Sequence, residues 1–206
     1  TSICDLLGIE YPIFLAGMGP RGRATHPALV AAVSNAGGLG VLGGSGLSPE
    51  EIRQRIREIK SLTSRPFGVN LLLPAKLGET EDSRSDARTR LKIEHPRHVA
   101  FVQRLMREFN LPEVYIEDEA VLSSTNIRAQ FEVLLEEKVA VFSVGLGDPS
   151  WAVPPAREQN MKVIGLAGSL GNALRQLKAG VDIVAAQGYE AGGHTGKIAS
   201  FVLLPQ

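Results

Sequence analysis

Short apolar segments alternate with helical patterns along nearly the whole 206-residue chain. The strand candidates are residues 12–16, 39–42, 67–73, 139–144, 162–166 and 181–186. They show little polar alternation, which is typical of strands covered on both faces. Strands that alternate with helices in units of about 20 to 30 residues form parallel sheets. The residues therefore predict an α/β fold, either an open doubly wound sheet or a closed (β/α) barrel.

The clearest helix start follows the second predicted strand. Ser48 is an N-cap candidate, Pro49 suits the first helical position and Glu51 completes a capping box. A stripe of isoleucines then follows at helical spacing, which predicts one buried face: Ile52, Ile56 and Ile59. Further helices are predicted at 28–36, from Pro96 onward, at 127–138 and at 171–180.

Small residues cluster directly after the predicted strands, where both candidate architectures carry their functional residues. The richest of these segments is Gln187-Gly188-Tyr189-Glu190-Ala191-Gly192-Gly193-His194. Glycines let a ligand approach the main-chain N–H groups, and histidine exchanges its proton near neutral pH. Such a turn suits a flat cofactor beside a proton acceptor. Glu190 is interpreted as a helix cap or a partner of a surface cation.

Several other classes of protein are disfavoured. The glycines of 38–43 match a dinucleotide fingerprint, but a helix precedes them and a strand lies inside them, the reverse of the required order. Lys plus Arg and Asp plus Glu both number 22, so no net charge attracts nucleic acid. The chain has neither an apolar run of about 18 residues nor the Cys/His spacing of a zinc site. Its one cysteine, Cys4, fits a reducing compartment, so we expect a cytoplasmic protein without a membrane partner.

Four motifs resemble the nitronate monooxygenases, formerly called 2-nitropropane dioxygenases, and their order matches across essentially the whole chain. They lie at 12–18, 32–40, 66–70 and 187–194. The last motif is shared with the FMN-dependent enoyl-acyl-carrier-protein reductases. The resemblance implies a (β/α)8 TIM barrel that holds FMN and no metal. We expect one FMN-binding barrel domain over residues 1–206, with a solvated, charge-rich loop inserted at about 76–98.

The resemblance also implies roles for individual residues. His194 is the expected catalytic base, and the expected FMN contacts are Gly17, Met18, Asn70, Gln187, Gly192 and Gly193. The implied reaction is oxidation of an alkyl nitronate or nitroalkane by O2 to a carbonyl compound and nitrite. Each residue also has a plainer interpretation, as a loop hydrogen-bonding group, a turn glycine or a core side chain.

The number of predicted strands is smaller than the resemblance requires. A complete barrel has eight β/α units and about 250 residues, whereas about six units are present here. We therefore expect a barrel that is incomplete at its C-terminal side, without the strands whose loops would hold the FMN phosphate. Two other functions stay open: an NAD(P)H-dependent enoyl reductase, and an inactive fragment or interaction module. Exposed sheet edges also leave a homo-oligomer open.

Overall fold

Five parallel strands form the centre of the molecule. The structure is a computed structural model that describes residues 1–19, 23–73, 84–112 and 124–206. The strands are β1 Gly40–Gly43, β2 Phe67–Leu72, β3 Val141–Gly145, β4 Lys162–Ala167 and β5 Ile183–Ala186. These confirm five of the predicted strands, with ends that differ by at most two residues.

The order of the strands decides between the two candidate architectures. The sheet runs β1-β2-β3-β4-β5, and every neighbouring pair is parallel. A doubly wound sheet reverses its strand order at a switch point, and this sheet has no reversal. Strands laid down one after another in chain order are the construction of a (β/α) barrel. The fold is therefore a partial barrel of the TIM type.

The prediction of a first strand at residues 12–16 is wrong, because this segment does not form a regular strand. Only a single parallel bridge forms there, between Phe14 and Leu39 beside β1. The Leu15 N–H donates to the Leu39 carbonyl at 2.9 Å, while the Ile13 N–H turns back to the Tyr11 carbonyl at 2.8 Å. Pro12 has no N–H to donate. The segment extends the sheet beyond β1 without adding a regular strand.

Helices cover the connections between strands. They are α1 Ser2–Leu7, α2 Pro27–Asn35, α3 Pro49–Leu62, α4 Arg84–Glu94, α5 Pro96–Glu108, α6 Ser124–Glu136, α7 Val153–Glu158, α8 Leu170–Ala179 and α9 Ser200–Leu203. The capping box of α3 is confirmed: the Glu51 N–H donates to Ser48 Oγ at 3.2 Å, and the Ser48 N–H donates to Glu51 Oε2 at 2.8 Å. Within the described ranges, no helix is both long and apolar enough to cross a membrane.

Two apolar layers lie on opposite faces of the sheet. Ile56 of α3 and Phe131 of α6 pack with Val69 and Phe142 on the outer face, and the rings of Phe131 and Phe142 are 5.0 Å apart. A smaller apolar cluster covers the inner face, and α1 contributes a side chain to it. Its buried members are Leu7, Leu39, Val41, Val141 and Ile164. The inner apolar layer therefore leaves the carboxyl end of the sheet to polar and small residues.

The predicted loop at 76–98 is wrong where the structure describes it. Residues 84–94 form α4, and α5 begins at Pro96, while 76–83 lie outside the described residues. Arg, Lys and Glu are good helix formers, so a charge-rich segment can be helical and solvated at once. Solvation is confirmed for residues 89–98, because all of them are exposed.

Candidate functional site

The inner face of the sheet carries an asparagine and a serine near its carboxyl end. Gly43 of β1 pairs with Asn70 of β2, which in turn pairs with Ser143 of β3. Side chains alternate between the two faces of a strand, and Val141, two residues before Ser143, belongs to the inner cluster. Asn70 and Ser143 therefore lie above the inner apolar layer, on the edge where barrel enzymes carry their chemistry.

The amide of Asn70 is held by its neighbour strand. Its Nδ2 donates to the Ser143 carbonyl at 3.1 Å and lies 3.2 Å from Ser143 Oγ. Gly17 packs directly behind it: a Cβ at Gly17 would lie 2.6 Å from the Asn70 Cβ and 3.0 Å from the Leu42 carbonyl oxygen. Only glycine permits this approach. The structure thus brings together two of the residues predicted to contact a cofactor.

A buried threonine holds the next predicted residue, Met18. The side chain of Thr25 has no solvent exposure. Its hydroxyl accepts from the Met18 N–H at 3.1 Å and the Gly43 N–H at 3.0 Å, and donates to the Met18 carbonyl at 3.2 Å. The segment after the bridge is thereby tied to the end of β1, and the Met18 side chain is left 46% exposed.

The second group of predicted residues follows β5. Gln187 is half-buried, its N–H donates to the Ala167 carbonyl at 2.8 Å and its Nε2 donates to the Gly192 carbonyl at 3.2 Å. The loop then crosses the end of β4, where a Cβ at Gly196 would lie 2.3 Å from the Gly168 carbonyl oxygen. Two strand-end loops therefore touch main chain to main chain.

The base of this loop is closed by Glu190. Its carboxylate accepts from the N–H of Ser200 at 2.9 Å and from the Ser200 hydroxyl, and the Tyr189 N–H donates to the Ile198 carbonyl at 2.9 Å. Ser200 is the first residue of α9, so the interpretation of Glu190 as a helix cap is confirmed. The hydroxyl of Ser200, with main-chain N–H groups, holds the pKa of Glu190 below its ordinary value.

The tip of the loop carries the remaining predicted residues. Gly192, Gly193 and His194 are all exposed. Apart from the glycine itself and its chain neighbours, no atom lies within 4 Å of a Cβ placed on either glycine, and Gly193 adopts a left-handed φ of 76°. His194 therefore projects from a loop that is pinned at its base and open at its tip.

The predicted residues form two groups on one edge of the sheet. Gly17, Met18 and Asn70 lie on the β1–β2 side, whereas the 187–194 loop lies beyond β4, and β3 and β4 run between them. Sequence reasoning missed Ser143 and Thr25. Ser143 had a signal, a polar residue inside an otherwise apolar strand; Thr25 had none. In the described part of the chain, no three His, Cys, Asp or Glu side chains gather into a potential metal site.

The fold and the residues that follow its strands together define a class of protein. It is a partial TIM barrel with side-chain amides and glycine-rich loops at the carboxyl end of the sheet. The family model for nitronate monooxygenase matches residues 1–206. The chain belongs to the nitronate monooxygenase family.

Individual relatives agree with this assignment. A Staphylococcus saprophyticus protein named "Probable nitronate monooxygenase" is 36% identical over 198 residues, covering 95% of this chain and 51% of its own length. Two solved structures superpose on 99% of the chain. FabK from Thermotoga maritima has a TM-score of 0.71, 31% identity and 49% coverage of its chain. Nitroalkane oxidase from Streptomyces ansochromogenes has a TM-score of 0.72, 27% identity and 56% coverage of its chain. The chain therefore spans about half the length of the relatives it matches.

Proposed function

We propose that the protein is an oxidoreductase that uses FMN to oxidise alkyl nitronates and nitroalkanes with molecular oxygen, giving a carbonyl compound and nitrite. The observation that carries this proposal is the position of His194, which projects from a loop whose base Glu190 and Ser200 close. That loop lies at the carboxyl edge of a barrel sheet, and membership of the nitronate monooxygenase family supports the choice of substrate.

The residues of this edge suit a flat heteroaromatic ring. The amides of Asn70 and Gln187 place polar side chains on this edge, where they can hydrogen-bond to a ring edge that alternates carbonyl and N–H groups. The space around Gly192 and Gly193 is open to a ligand. FMN, when bound, supplies the electron acceptor that these side chains lack. We assign the phosphate of FMN to residues other than these.

The chain's own contribution to the chemistry is a proton acceptor and an apolar surface. The imidazole of His194 takes the proton from the carbon next to the nitro group, because a positioned histidine side chain is the most common general base in enzymes. Met18 and Leu146 expose apolar side chains on the same edge, 46% and 41% exposed. We assign Leu146 a contact with the alkyl part of the substrate, and Met18 a contact with the FMN ring.

The test separates proton transfer from electron transfer. In His194→Ala, turnover of a neutral nitroalkane should fall about 100-fold or more, the usual contribution of a general base. Turnover of the preformed nitronate anion should fall much less, since its proton is already gone, and FMN should stay bound. His98→Ala, in the exposed helix α5, is the matched control. Undiminished nitroalkane turnover by His194→Ala would contradict the assignment of the base.

An NAD(P)H-dependent enoyl reductase is the second candidate, because the motif at 187–194 also resembles that of the FMN-dependent enoyl-acyl-carrier-protein reductases. Oxygen consumption with nitronate supports the first candidate, and NADH oxidation with an enoyl thioester supports the second. A colourless protein that takes up no added FMN would contradict both and favour a non-catalytic interaction module.

A further inference from the structure

We infer that Ser143 is a positioning residue that fixes the amide of Asn70, so that the carbonyl oxygen of that amide is the atom presented to a ligand. This inference rests on the proposed function, because it specifies how one residue of the same site meets the cofactor. It concerns a serine on β3 that the sequence patterns did not single out.

The main chain at residue 143 determines which way the amide lies. A carbonyl oxygen can only accept a hydrogen bond, and the Ser143 carbonyl lies 3.1 Å from the amide nitrogen of Asn70. Exchanging the nitrogen and oxygen of that amide would place two acceptors against each other. The nitrogen of Asn70 must therefore point toward β3.

The hydroxyl of Ser143 then engages the same nitrogen. Ser143 Oγ lies 3.2 Å from Asn70 Nδ2, and the serine is only 9% exposed. A primary amide carries two hydrogens, so the carbonyl and the hydroxyl together provide an acceptor for each. Without the hydroxyl, one donor would lose its protein partner at a part-buried position.

The two glycines beside Asn70 offer no side chain that could hold its amide. Asn70 is flanked by two glycines: a Cβ at Gly17 would lie 2.6 Å from the Asn70 Cβ, and a Cβ at Gly145 would lie 3.7 Å from Nδ2. These neighbours bring their main chain close but have no side chains to press on the amide. The orientation of the amide therefore depends on its hydrogen bonds to Ser143.

The consequence is a defined polarity at this point of the site. With the nitrogen directed to β3, Oδ1 is the atom that meets a bound ring, and it accepts. The ligand must present an N–H there, as the imide of a flavin does. Ser143 thus acts on the ligand through Asn70, without needing a contact of its own.

The experiment compares two buried serines at opposite ends of the sheet. Ser34 is 1% exposed; its hydroxyl donates to the Pro66 carbonyl at 2.8 Å and accepts from the Gly40 N–H at 3.1 Å, at the start of β1. Ser143→Ala and Ser34→Ala remove equivalent buried hydroxyls. Ser143→Thr keeps the hydroxyl. Each variant is titrated with FMN, and the side-chain amide signals of Asn70 are followed by NMR without ligand.

We expect Ser143→Ala to weaken FMN binding about fivefold to tenfold, the usual effect of one lost hydrogen bond, and to shift and broaden the Asn70 amide signals. Ser143→Thr should restore both, and Ser34→Ala should change neither even though it lowers stability. Wild-type FMN affinity and unchanged Asn70 signals in Ser143→Ala would overturn the inference and leave the proposed function standing. Failure of the unmodified protein to bind FMN would overturn both.

Discussion

Helices α3 and α5 have similar patterns of apolar residues, but the apolar side of α3 is buried whereas that of α5 is exposed to solvent. Both begin with proline in the first turn, and both carry apolar residues at helical spacing. In α3 the three isoleucines have no solvent exposure, whereas α5 has no buried residue, with Phe101 and Val102 exposed by 50% and 52%. Periodicity determines which residues share a side of a helix. Whether that side is buried depends on what the chain places against it.

The polar sides of the two helices differ as well. Arg57 and Lys60 of α3 reach Glu137, which follows α6, with N–O distances of 2.9 and 3.0 Å. In α5 the guanidinium of Arg104 lies 5.2 Å from the ring of Phe101 in the same helix. The charges of α3 therefore connect elements that are far apart in sequence, while this contact of α5 is local.

The largest expected difference concerns the apolar sides. Ile56→Ala should lower the free energy of unfolding by about 2 to 5 kcal/mol, because it leaves a cavity against the sheet. Val102→Ala should change it by less than about 0.5 kcal/mol, the usual range for a surface position. Urea denaturation followed by circular dichroism measures both. Equal effects would mean that α5 is as well packed as α3.

The second largest loss of stability is expected from the ion pairs that Arg57 and Lys60 of α3 make with Glu137. Burial by itself would raise the pKa of Glu137, but hydrogen bonds from Lys60 and Arg57 outweigh it and hold the pKa below its ordinary value. The Glu137 side chain is 11% exposed, while Arg57 and Lys60 are largely open to solvent. We therefore expect Glu137→Gln to cost about 1 to 2 kcal/mol near neutral pH.

The pH dependence of that difference follows from the direction of the shift. A carboxyl group whose pKa is lowered on folding contributes stability above its unfolded pKa of about 4.3. That contribution is lost as the pH falls through the lower folded value. The gap in unfolding free energy between the wild type and Glu137→Gln should therefore close in acid. A gap that stayed constant down to the acid limit would show that the charge of Glu137 is not the cause.

The smallest expected effect concerns the helix starts. Ser48→Ala removes a side-chain cap from α3 and should cost about 1 kcal/mol. The N-cap of α5 is His95, whose side chain makes no capping hydrogen bond. His95→Ala should accordingly lie within about 0.5 kcal/mol of the wild type. Thermal unfolding of the two variants provides the comparison, and a larger loss from His95→Ala would reverse the ranking.

Much of the sheet could be predicted from local patterns. The apolar segments at 67–73 and 162–166 correspond to β2 and β4, because a strand covered on both faces needs apolar residues at consecutive positions. The start of α3 was predictable for a similar reason: a capping box lies within four consecutive residues. The 12–16 segment was not, since a regular strand needs hydrogen-bonding partners that its sequence does not reveal.

The candidate site likewise has features that could be predicted from the sequence and features that could not. Strand ends and glycines predicted that the candidate residues share the carboxyl end of the sheet, where the structure places them, and the residues of 187–194 could be singled out from their composition. The pairing of Asn70 with Ser143 could not be seen, because 73 positions separate them along the chain. Thr25 was equally hidden: its hydroxyl matters only because Met18 and Gly43 converge on it.

Sequence alone determined the elements whose cause is local: the strand runs, the helix caps and the placement of small residues after strands. Tertiary structure alone decided the order of strands that makes the sheet part of a barrel, the exposure of α5, and the contacts that hold Asn70 and Met18. Local patterns reflect backbone preferences within a few residues, whereas burial and buried hydrogen bonds depend on which distant segments the fold brings together.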